Sequence, residues 1–241
     1  MRPLLLLSLF LIGTLSLGVF FFMPEKLTAE QALDRGDHYF NVDGKGEYNL
    51  EKAEKYYAKA LELDPNVPDA WHQLARIDFL SGNFGEALAK INTQIDLHGE
   101  SSLSSYYVRG LIEGFNKDYQ AAETDFKFFL SWKPESWAAH NDLAWIYFEQ
   151  GKFADAEKTA LKGLSYDPDN AWLLLMHGTA LMNLGRREEA MNELLKAKEE
   201  ASKLTATDWG YANPGNDPRV AKQGLLSMRQ AIEQNLVLVQ K

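Results

Sequence analysis

The sequence predicts an all-α fold of stacked helical hairpins, a solenoid, and three observations lead there. Prolines recur at a fixed period: 34 residues separate Pro134 from Pro168, and 69, two such units, separate Pro65 from Pro134. Small residues recur in register, with Ala87, Ala122, Ala156 and Ala190 at one equivalent position and Gly82, Gly151 and Gly185 five residues before three of them. Between these marks the apolar residues fall three and four apart, the helical period.

The clearest unit is Trp137–Pro168. Leu143, Ala144 and Tyr147 share one face of a first helix, and Gly151 ends it where a residue with positive φ is required. Phe153, Ala156 and Ala160 then continue at helical spacing on a second helix. The unit is a helix, a tight turn, an antiparallel helix and a Pro-marked turn into the next unit.

Taken in order, the chain opens with Leu4–Met23, an uncharged and mostly apolar run of 20 residues behind Met1-Arg2-Pro3. As a helix it is ~30 Å long, enough to cross a bilayer core. An uncleaved anchor over residues 1–24 is preferred to a cleaved signal peptide. The run closes on Val19-Phe20-Phe21-Phe22-Met23, and only Ser16-Leu17-Gly18 offers small residues for cleavage. Lys and Arg flank the run on both sides, so charge hardly sets the orientation. The short basic start resembles an export signal, which places the amino terminus inside and the repeats outside the cytoplasm.

Residues 25–203 hold about five hairpins. The first carries about five extra residues between its helices, around Asn41-Val42-Asp43-Gly44-Lys45-Gly46-Glu47, a stretch that lacks the spacing of a calcium or nucleotide loop. Four regular units follow. Their first helices are expected near 68–81, 103–116, 137–150 and 171–184, and their second helices near 84–97, 119–132, 153–166 and 187–203. Residues 204–217 read as a loop, with Trp209 and Tyr211 either pinning it to the last unit or forming a secondary partner surface. Asp217 is placed to cap a helix that starts at Pro218, and Val220, Leu225, Met228, Ile232, Leu236 and Val239 form its apolar stripe. An open solenoid end exposes an apolar face, and this last helix, over 218–241, is expected to cover it.

These units resemble the tetratricopeptide repeat family over residues 28–202. The second carries Trp71, Leu74, Ala75, Gly82, Phe84 and Ala87; the third, Tyr106, Gly110, Tyr119, Ala122, Phe126 and Pro134; the fifth, Gly178, Leu181, Gly185, Ala190, Leu194 and Ala197. In the first, Gly36, Tyr39, Ala53, Tyr57, Ala60 and Pro65 fit. Two positions depart from the pattern: Lys117 stands where the third unit should have its turn glycine, and Gly99 replaces the closing proline of the second. The resemblance implies a right-handed α-α superhelix whose first helices line a concave groove for an extended peptide or a partner helix. Its usual groove positions map onto His72, Gln73, Arg76 and Phe79 in the second unit, and onto Tyr107, Leu111 and Phe115 in the third. The fourth supplies Asn141, Asp142, Trp145 and Phe148; the fifth, Trp172, Met176, Thr179 and Met182. Domains of the family that clamp a C-terminal carboxylate use several cations, and only Arg76 offers one here.

Composition narrows the chemistry. There is no cysteine, which excludes disulfides, thiolate metal sites and covalent haem attachment. A net charge of −9, with no basic stripe, disfavours nucleic acid and anionic lipid surfaces. The five histidines, His38, His72, His98, His140 and His177, have no paired-ligand spacing, and neither a nucleophile elbow nor a phosphate loop is present. The expectation is therefore a non-catalytic, membrane-anchored scaffold for a protein or peptide client, with no cofactor and no metal. Cell-envelope assembly, secretion, pilus or cytochrome biogenesis are its natural settings by analogy. The alternative is an accessory subunit of an enzyme complex with catalysis on a partner chain. A homo-oligomer stays open.

Overall fold

The structure is a computed structural model that describes residues 27–40, 46–213 and 215–241. The expected anchor over 1–24 and most of the first-unit insertion lie outside the described residues. No described helix is long and apolar enough to cross a membrane.

Among the described residues all regular structure is helical. The first unit pairs α1 (Ala29–Phe40) with α2 (Leu50–Leu63), and the second α3 (Ala70–Leu80) with α4 (Phe84–His98). The third pairs α5 (Leu103–Phe115) with α6 (Tyr119–Trp132), the fourth α7 (Trp137–Glu149) with α8 (Phe153–Leu164), and the fifth α9 (Ala171–Asn183) with α10 (Arg187–Lys203). Each second helix also packs on the first helix of the next unit, which makes the stack a solenoid.

Local chemistry sets where the helices start and stop. Asn49, Asp118, Ser136 and Asn170 each accept a hydrogen bond from a backbone N–H of the first turn they precede. Each such cap contributes about 1 kcal/mol. The tight turns inside the hairpins need positive φ, which Gly82 (78°), Gly151 (70°) and Gly185 (76°) supply without strain. Lys117 adopts the same conformation, φ 68°, so the third unit keeps the turn at the expense of a side chain in the left-handed region.

Close crossing explains the small residues. Ala87, Ala122, Ala156 and Ala190 are fully buried where the paired helices meet. A Cβ added at Gly178 would stand 2.8 Å from Leu194 Cγ, inside van der Waals contact. Around these crossings Phe126, Ile91, Ile112, Ile146, Leu173 and Leu194 fill the interior.

Beyond α10 the structure corrects the sequence reading. Residues 204–217 are not all loop: α11 (Ala206–Ala212) forms there, because Thr205 accepts from Asp208 N–H while Asp208 accepts from Thr205 N–H. Asp217 does accept from Arg219 N–H, but Pro218–Val220 is only a 3₁₀ turn, and α12 runs Ala221–Val239. Leu225, Met228, Ile232, Leu236 and Val239 are buried, and all but Leu225 belong to the core of the fifth unit; Val220, in the turn, is 44% exposed and leaves the stripe. Arg229 secures the junction by donating to the carbonyls of Ala201, Ser202 and Leu204 at the end of α10.

Candidate functional site

The first helices of successive units touch one another along one side, the inner face, and the middle of that side is an aromatic ladder. Phe79 of α3 lies edge-on to Phe115 of α5, ring centroids 5.3 Å apart, and Phe115 lies 5.1 Å from Trp145 of α7. Gly114 makes that approach possible, since a Cβ there would meet Ile146 Cδ1 at 2.7 Å and Trp145 Cζ3 at 2.9 Å. Phe115 remains 53% exposed, while Phe79 and Trp145 are half-buried. Phe148 leans on Phe153, 5.2 Å between centroids, and Leu111, Met176 and Met182 are half-buried.

Beside the ladder a polar link joins α5 to α7. Tyr107 Oη donates to Asp142 Oδ2 at 2.5 Å, and Asn141 Nδ2 donates to Asp142 Oδ1 at 3.2 Å. Burial raises the Asp142 carboxyl to about 6, although these two donors favour its charged form. Burial, then the Asp142 charge and hydrogen bond, push the Tyr107 hydroxyl well up. The Tyr107 ring packs on Phe126 and Phe129, so this residue serves the repeat core as well as the inner face.

Other expected groove residues are engaged in contacts of their own. His72 is enclosed rather than exposed: its Nδ1 lies 2.9 Å from Ser105 Oγ, its backbone N–H bonds Gln94 Oε1, and it is 7% exposed. Burial, then the Arg76 charge, lowers its pKa to about 3, so it is neutral. Its Ser105 partner is fully buried, so this pair is out of a substrate's reach. Gln73 is equally enclosed and bridges Arg76 and Asp37. Trp172 lies tilted against Trp137, ring centroids 5.4 Å apart, and packs on the fifth-unit core. Thr179 accepts from Asn235 Nδ2 of α12 at 2.9 Å.

The first-unit end of this face holds a feature that the sequence reading lacked. Arg76 lies over the Phe40 ring, 4.8 Å from its centroid, and Gly215 lies against both. Tyr48 Oη donates to the Gly215 carbonyl at 3.2 Å, across 167 residues of sequence. Asp37 and Phe40 were legible in principle: aligning Gly36 with Ala75 puts them at the positions of Arg76 and Phe79. Gly215 carried no such signal. Of the aromatic pair before it, Trp209 is half-buried with its ring against Gly224 of α12, and Tyr211 is 75% exposed.

Family models described as tetratricopeptide repeat match residues 46–100, 116–164 and 173–203, together more than half of the chain. The chain belongs to the tetratricopeptide repeat family. Human tetratricopeptide repeat protein 6 is 25% identical over 136 residues, 56% of this chain and 25% of its own length, so this chain spans about a quarter of that relative. Among solved structures, MamA superposes with a TM-score of 0.60 at 23% identity, covering 73% of this chain and 92% of MamA. YrrB, described as a tetratricopeptide protein with an unusual peptide-binding site, superposes with a TM-score of 0.59 at 18% identity, covering 74% and 89%. At these identities the two structures establish the shared tetratricopeptide fold.

Proposed function

We propose that this tetratricopeptide chain is a non-catalytic scaffold, anchored to a membrane through Leu4–Met23, that holds a protein or peptide client along its inner face. The observation that carries the reading is the Phe79–Phe115–Trp145 ladder, which keeps its middle ring half in solvent. A half-exposed ring flanked by two half-buried ones suits an apolar side chain of an extended client, because an aromatic ring offers a large contact area at small entropic cost. YrrB, with its described peptide-binding site on the same fold, supports the reading. The repeats are assigned to the outer side of the membrane, and the settings that fit are cell-envelope assembly, secretion, pilus or cytochrome biogenesis.

The test is Phe115→Ala in the full chain. Co-purified client should fall several-fold at nearly unchanged thermal stability. Undiminished client recovery would remove the ladder from the binding surface.

A further inference from the structure

The inner face is not empty at its first-unit end, because the chain returns there itself. After α10 the polypeptide leaves the solenoid, forms α11, and brings Gly215 onto Phe40, Tyr48 and Arg76 before α12 carries it back to α9 and α10. Phe40 and Arg76 belong to α1 and α3, whose inner face continues through Phe79 into the aromatic ladder. The fit is specific for glycine. Gly215 has φ +86°, and a Cβ there would stand 2.5 Å from Arg76 Nη2 and 3.1 Å from Phe40 Cζ. Its carbonyl takes the Tyr48 hydroxyl. The contact thus reads backbone, not side chain, which is how a groove accepts a polypeptide in general.

Beyond the buried Gly215 and the Trp209 ring on Gly224, little holds this segment down. No residue of α11 is fully buried, and Tyr211 projects into solvent. Asp217 and Arg219 pair with each other at 2.6 Å, so their charges are satisfied within the turn itself.

We propose that Phe40, Tyr48 and Arg76 form a receptor for a tight glycine turn of polypeptide, filled in cis by Gly215, and that a client segment of the same kind takes the place once this turn lifts. The inference rests on the inner face being the client surface. It adds the ligand chemistry of one end and a built-in competitor. Binding there is an exchange of one glycine turn for another, so apparent client affinity falls by the fraction of chains whose own turn is seated.

The test uses the full chain and Gly215→Val, which cannot hold φ +86° or clear Arg76. Hydrogen exchange should quicken over residues 205–220 while α3 to α9 keep their protection. A labelled peptide of residues 209–219, followed by fluorescence anisotropy, should bind the variant at least tenfold more tightly than the parent chain. Adding Tyr48→Phe should weaken peptide binding about fivefold, and adding Arg76→Gln as well should abolish the gain. Unchanged exchange in the variant would contradict the seating itself. Equal peptide binding to both chains, or to neither, would overturn the receptor. Peptide binding matched by concentration-dependent dimerisation of the parent would assign the turn to a second copy and overturn the cis occupancy. The Phe115→Ala result separates the two ideas: if that variant loses client while the peptide fails, only the receptor falls.

Discussion

Tyr48 and Gly215 are joined by a 3.2 Å hydrogen bond although 167 residues lie between them. The bond ties the segment that leaves the last hairpin to the first, where a simple solenoid has two free ends. Replacing Tyr48 by Phe removes one partly buried hydrogen bond and should cost about 1 kcal/mol. Urea titration with a fluorescence readout measures it, and an unchanged midpoint would mean that the link carries no stability.

Lys117 carries a positive φ in the turn where its three counterparts are glycine. Lys117→Gly should stabilise the chain by about 0.5–1 kcal/mol, relief of left-handed strain less the extra entropy of glycine in the unfolded state. Chemical denaturation settles the sign, and destabilisation would show that the lysine side chain contributes more than its backbone costs.

Ala156 is fully buried at the crossing of α7 and α8. Ala156→Leu should overpack that crossing and cost about 1–3 kcal/mol. An unaltered melting temperature would argue that the crossing has spare room.

Two inner groups give opposite pH dependences. The folded pKa of Asp142, about 6, lies above its ordinary value of 3.8, so its contribution is full below about pH 4 and is lost as pH rises through 6. His72, lowered from 6.5 to about 3, contributes stability above pH 6.5 that is lost as pH falls toward 3. Asp142→Asn should flatten the stability profile between pH 4 and 6 on its own side, and His72→Gln should flatten the acid limb. Melting temperatures from pH 3 to 8 test both, and a parallel shift without change of slope in either variant would contradict its assignment.

The fold was legible because a repeat multiplies its own evidence. The turn glycines, the crossing alanines and the helical spacing pointed to one hairpin, and helix limits such as Trp137–Glu149 and Ala171–Asn183 lie within a residue or two of those read from the spacing. The inner face was legible only in part. Positional mapping brings Phe79, Phe115 and Trp145 together, yet the same mapping selects His72, because periodicity alone does not tell an inner position from an inter-repeat one when a polar partner such as Ser105 is waiting inside. α11 was missed although its Thr205–Asp208 capping pair was present, since its glycine and aromatic residues weaken the helical pattern. Gly215 on Arg76 had no local trace, being a contact between the two ends of the chain.

The central claim is that the aromatic ladder is the client surface, and photocrosslinking in membranes tests it most directly. A photoreactive residue is placed in the full chain at Phe115, at Trp145 and, for comparison, at Leu161, which is 50% exposed on α8. The account predicts one discrete adduct of the same partner from positions 115 and 145, and none from 161. Adducts of equal yield at all three positions, or from 161 alone, would contradict it.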